Sequence, residues 1–123
     1  MNRIAASVVA ILAFAGTSFA ATINVPGDQP SIAAAISASV NGDVINIAPG
    51  TYNEHSLNPG GKAITIQGTL NGDGTLATTI DAQQGGRVFT IESGEGDGTV
   101  IKDLVITGGS AGDGGGIYCN VSN

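Results

Sequence analysis

The sequence predicts an all-β solenoid of short stacked parallel strands, closed at its start by one short helix. Three observations carry this. Apolar residues alternate with polar ones in runs of three to five from Asp43 onward, for example Val44-Ile45-Asn46-Ile47 and Ala63-Ile64-Thr65-Ile66-Gln67. Such alternation is the mark of a half-buried strand. The runs are bounded by Gly, Asn and Asp, and the chain has 20 Gly in 123 residues, which implies many tight turns. The runs also recur. Ile64 and Ile66 return as Phe89 and Ile91, 25 residues later, and Ile80 returns near Val105. Ile45 and Ile47 precede Ile64 and Ile66 by 19, and Phe89 precedes Ile117 by 28. This reading gives two columns of strands repeating with a period near 25, a spacing typical of repeat architectures.

The elements follow in order. Residues 1–20 read as a signal peptide. Met1-Asn2-Arg3 is positively charged, Ile4 to Ala15 is apolar, and Ser18-Phe19-Ala20 is a small-residue cleavage site. The apolar run is shorter than the roughly 20 residues a membrane span needs. Residues 21–42 hold a turn-rich lead-in, Val25 to Pro30, and a capping helix. Ile32, Ile36 and Val40 share one helical face. Ser31 supplies an N-cap and Asn41-Gly42 a stop. Residues 43–123 are the strand region. Its further runs are Thr79-Ile80-Asp81, Val88 to Glu92, Leu104 to Thr107 and Gly116-Ile117-Tyr118. About three coils fit, the last breaking off within a repeat, so the chain is expected to be the start of a longer stack. A sandwich of hairpins fits less well, because the connections from Thr69 to Leu76 and Ser93 to Gly98 exceed usual hairpin loops. Parallel stacking also explains the helix, since an open solenoid end needs a cap.

Charge limits the partners. Loss of Arg3 with the signal leaves three basic residues, Lys62, Arg87 and Lys102, against ten acidic ones, a formal charge of −7. Nucleic acid and anionic membrane surfaces want the opposite sign. An extracellular polysaccharide or cell-surface component is compatible.

The run VPGDQPSIAAAISASVNGDVINIAPGTYNE resembles the N-terminal entry of pectin-lyase-like right-handed parallel β-helix proteins. Their order is a capping helix, a Gly-Asp, a strand, then a Pro/Ala-Gly-x-Tyr turn with an acidic residue. Here these are Ile32 to Val40, Gly42-Asp43, Val44 to Ile47, and Pro49-Gly50-Thr51-Tyr52 with Glu54. The likeness continues through ITIQGT, TTIDA and IKDLVITGG. The later GGGIYC resembles repeats of bacterial surface β-helix proteins. The resemblance implies an exported bacterial protein, secreted or held at the cell surface, with a structural or adhesive role. The alternative it implies is the N-terminal part of a pectate lyase-like or pectin esterase-like polysaccharide-active enzyme whose catalytic coils are missing. The acidic, Arg and His groupings of such enzymes are not present here as sets, so no catalytic, cofactor-binding or metal-ligating residue is carried over. Fold alone does not give function.

Four groups of residues invite chemistry. His55, the only histidine, sits in a loop, where a surface role is the simpler reading. The loops Asn71-Gly72-Asp73-Gly74, Gly94-Glu95-Gly96-Asp97-Gly98 and Gly112-Asp113-Gly114 offer carboxylates for Ca²⁺, but turn chemistry accounts for them without a metal. Asp81, Glu92 and Asp103, with Arg87 and Lys102, could line an outer saccharide groove or simply be a solvated face. Cys119 is either a small buried residue or one half of a disulfide with a later coil.

Overall fold

The computed structural model describes residues 20–92, 98–112 and 114–120. The expected signal peptide lies outside this range except for Ala20. The chain is mostly β, with nine strands and one helix among the described residues. β1 is Thr22–Val25, α1 is Ile32–Ala38, β2 is Val44–Ile47, β3 is Gly50–Tyr52 and β4 is Thr65–Gln67. β5 is Thr78–Asp81, β6 is Phe89–Ile91, β7 is Val100–Lys102, β8 is Val105–Thr107 and β9 is Ile117–Cys119. They form three sheets, ordered β1-β2-β4-β7, β3-β5-β8 and β6-β9. Every pairing between these strands is parallel. Leu57 adds a single parallel bridge to Phe89 and so begins the third sheet. From β2 onward the chain visits the first, second and third sheets in turn. Each such round is called a pass below.

There are three sheets where the spacing predicts two columns. Three strands escape the sequence reading: β1, assigned to the lead-in; β3, assigned to the Pro-Gly turn; and β7. The register also differs. Ile45 aligns with Ile66, not Ile64, and Ile66 aligns with Ile101, not Ile91. Ile80 aligns with Ile106, one place beyond Val105, whereas Phe89 does align with Ile117. Successive rungs of the first sheet are 22, 21 and 35 residues apart (Thr22, Val44, Thr65, Val100). The strands hold register while the corners between them take up different lengths. A uniform period therefore pairs the wrong runs.

The core is a stack of residues contributed one per sheet per pass. Ile23, Ile45, Ile66 and Ile101 form one column, Tyr52, Ile80 and Ile106 a second, and Leu57, Phe89 and Ile117 a third. The middle layer of Ile66, Ile80 and Phe89 is fully buried. Each such side chain contributes about 1.5–3 kcal/mol through burial. Thr78 is a buried hydroxyl in this core. Its Oγ1 reaches the Ile47 and Ala48 carbonyls at 3.1 and 3.2 Å and accepts from the Thr69 N–H at 2.9 Å. Gly68 is also buried, and a Cβ there would collide with the Asp103 carbonyl oxygen and the Thr78 and Leu104 side chains.

The helix is shorter than predicted. Ser31 is the N-cap, its Oγ accepting from the Ala34 N–H at 3.1 Å, but α1 ends at Ala38 with Ser39 as C-cap. Ile32, Ala35 and Ile36 are buried, whereas Val40 lies outside the helix and is 57% exposed. The cause is local. Ser39 adopts extended backbone and its Oγ donates to the Ile36 carbonyl at 2.7 Å, which turns the chain away one residue before Val40.

Two substitutions test this packing. Ile80→Ala should lower unfolding stability by about 2–5 kcal/mol, and Gly68→Ala should destabilise by overpacking. Outward Thr79→Ala should cost far less, all three read by urea denaturation.

Candidate functional site

The residues that carry the family resemblance converge on one place, the junction between α1 and the next pass. Glu54 follows β3. Its carboxylate accepts from the Ile32 N–H at 2.9 Å and the Ala33 N–H at 3.0 Å, one oxygen to each. These belong to the first turn of α1, where backbone N–H groups have no partner within the helix. The first turn holds no acidic residue of its own. Negative charge is favourable there, and Glu54 supplies it from the following pass. At the other end, the Lys62 ammonium donates to the Ile36 carbonyl at 2.6 Å and the Ser37 carbonyl at 3.3 Å. The last turn of α1 has no basic residue, so Lys62 fills that place. The helix is thus held at both ends by opposite charges from outside it.

Asp43 does similar work. It is buried, 4% exposed, and its two oxygens accept from the Ala21 N–H at 3.0 Å and the Val40 N–H at 2.9 Å. It ties the start of β1 to the segment leaving α1. Asn41-Gly42, expected to stop the helix, instead joins it to the next pass. Asn41 Oδ1 accepts from the Ala63 N–H at 2.9 Å, and the Gly42 N–H donates to the Ala63 carbonyl at 2.8 Å. Tyr52 donates its hydroxyl to the Ala48 carbonyl at 2.9 Å. Burial, and then the charge of Glu54, push the Tyr52 hydroxyl pKa up. Asp43 and Glu54 are thus engaged around α1, and Tyr52 fastens the corner between β2 and β3.

The other sequence candidates are dispersed. His55 is exposed, with Nδ1 3.0 Å from Ser56 Oγ, and its ring lies where a Cβ on Gly85 would be. Its neighbour Ser56 has a positive φ of 58°. A shallow cavity of about 180 Å³ beside α1 is lined by Ala33, Ile36, Ser37, Ser56, Leu57 and Asn58, below the roughly 300 Å³ where small-molecule pockets begin. Asp81 ends β5, Glu92 follows β6, Asp103 lies between β7 and β8, and Lys102 ends β7. Arg87 stacks over the Tyr118 ring at 4.1 Å. These five residues are distributed over all three sheets. Asp73 is spent on its own loop, accepting from the Thr75 N–H at 3.0 Å and the Thr75 hydroxyl at 2.6 Å. Those bonds, the hydroxyl first, pull its pKa down. Gly94, Glu95, Gly96, Asp97 and Asp113 lie outside the described residues. Among the described residues, no three His, Cys, Asp or Glu are grouped to hold a metal. Cys119 is exposed and unpaired by any disulfide there, and no described helix is long and apolar enough to cross a membrane.

On its outer face the first sheet carries a row of amides. Gln67 Nε2 donates to Asn46 Oδ1 at 3.4 Å, Asn46 Nδ2 donates to Asn24 Oδ1 at 3.3 Å, and Asn24 Nδ2 donates to Asp28 Oδ2 at 3.1 Å.

Comparisons with protein-family models, with curated proteins and with solved structures found no match.

Glu54→Ala should cost about 1–3 kcal/mol and speed hydrogen exchange selectively at the Ile32 and Ala33 amides. Glu54→Gln, which keeps one acceptor oxygen, should do so less. The Asp73 carboxyl should titrate below an ordinary aspartate, adding stability above that range that is lost as pH falls through its lowered value. Thr75→Ala should raise its midpoint, read by NMR titration.

Proposed function

We propose that the chain is the capped beginning of a right-handed parallel β-helix, exported by a bacterium and serving as a stiff structural or adhesive element at the cell surface. The carrying observation is the use made of the motif residues. Asp43 and Glu54 direct their carboxylates at backbone N–H groups at the two ends of α1 and at the start of β1. That is the chemistry of a cap, which a stack of strands requires for solubility. The parallel pairing in all three sheets supports the helical winding. The excess of acidic residues suits an extracellular setting.

The competing proposal is the N-terminal part of a polysaccharide lyase or esterase whose catalytic coils are missing from these 123 residues. One preparation separates the two. The natural gene is expressed whole, including anything it encodes after residue 123, in a bacterial host with its own start, and the product is fractionated. Under the structural reading the protein begins at Ala21 by mass spectrometry and is accessible to protease on intact cells or in the medium. Incubation with polygalacturonate or its methyl ester then yields neither unsaturated product nor methanol. Retention in the cytosol with Met1 in place overturns export, and turnover of either substrate overturns the structural role.

A further inference from the structure

The carboxylate of Asp43 is buried, with the residue 4% exposed. Its Oδ1 accepts from the Ala21 N–H at 3.0 Å and its Oδ2 from the Val40 N–H at 2.9 Å. Both donors are neutral backbone amides. Among the described residues no cation reaches it. Lys62 donates to carbonyls at the end of α1, Arg87 lies over Tyr118, and Lys102 ends β7. Taking a carboxylate out of water without a counter-charge costs free energy that two neutral hydrogen bonds offset only in part.

Ala21 is also the first residue after the bond that Ser18-Phe19-Ala20 marks for cleavage. Ala20 and Ala21 are both exposed, so that bond lies at the surface. The Ala21 carbonyl accepts from the Val44 N–H at 2.8 Å and carries the β1–β2 ladder one residue further. This hold on Ala21 comes from β2 and needs nothing before it. Hydrolysis would change the nitrogen beside Asp43. Water supplies an oxygen to the Ala20 carbonyl carbon and two protons to the Ala21 nitrogen, giving an Ala20 carboxylate and an Ala21 ammonium. The ammonium is the main form at neutral pH, since an α-amine ordinarily titrates at roughly 7.7–8.0.

We propose that removal of residues 1–20 installs the missing counter-charge: the new α-ammonium of Ala21 pairs with the buried Asp43 carboxylate, so the fold is completed only after export. The cut itself rests on the export reading above. The uncut chain, with Asp43 uncompensated, is the less stable form, which suits a chain that must cross a membrane before it folds. The cut chain gains a charge-assisted bond, roughly twice as strong as a neutral one. That bond ties the start of β1 to the segment leaving α1.

Two forms of the natural protein test this, each including anything its gene encodes after residue 123. One begins at Ala21. The other carries Gly-Ser ahead of Ala21, which makes the same nitrogen an amide again. Both are released from a fusion by a site-specific protease, so the comparison does not depend on the cell's own cut. The Val40 and Val44 amides donate to Asp43 and Ala21. They should exchange hydrogen about tenfold more slowly in the form beginning at Ala21. Asp43→Asn, which removes the charge and keeps an acceptor oxygen, should erase that difference at Val44. Without any substitution, the Ala21 amine should be acylated about tenfold more slowly than that of the free peptide Ala21–Val25 at the same pH, because the pair holds its proton. Equal exchange in the two forms, a difference that survives Asp43→Asn, or acylation at the peptide's rate overturns the proposal. Retention of Met1 in cells defeats the export reading even when the two forms differ, so the two failures are told apart.

Discussion

A sheet edge leaves every second residue with an N–H and a C=O that must find a partner or water. The architecture at the start of this chain follows from that constraint. Carboxylates meet most of it. Asp28 takes an edge N–H of β1, Asp43 takes one on each side of α1, and Glu54 takes two at the helix start. A carboxylate suits the task because it only accepts and can serve two donors at once. Lys62 completes the set from the donor side. Four of the chain's few charged residues are therefore committed to finishing backbone.

Packing then builds on this closed start. Each pass adds one large apolar residue to each of three columns, and each layer buries the one before it. The middle layer is sealed because it has a neighbour on both sides, and the last layer of the described residues is half open because it has one among them. Burial here is a property of position in the stack as much as of residue type. Ile117 and Phe89 occupy the same column, yet one is 43% exposed and the other fully buried.

Much of this was legible in the sequence, but not its distances. Alternation in Val44 to Ile47 and Thr79 to Asp81 correctly marks strands and their inward residues, because one buried face writes a period of two. The repeat length misleads. The corner holding Asn71 to Thr75 accounts for half of the lengthening of one first-sheet interval from 21 to 35 residues, the two later corners account for the rest, and alternation carries no information about corner length. β3 was hidden because Gly50 and Thr51 are exposed. The role of Glu54 was unreadable for a different reason, since its donors lie 21 and 22 residues earlier. A signal did exist: α1 lacks an acid in its first turn and a base in its last, and an acid and a base follow about one pass later. Helix ends that lack their own charges can be completed from a neighbouring strand layer.

The row of amides on the first sheet has its own consequence. All three side-chain N–H groups point the same way, from Gln67 through Asn46 and Asn24 to the Asp28 carboxylate. Their dipoles add, and the positive end falls on an anion, as at the N-terminus of a helix. The row is therefore polarised, and it couples the surface of one pass to the edge of another. A change of amide at Gln67 would be felt electrostatically at the fold-back over β1, two rungs away, with no shift of the backbone between them.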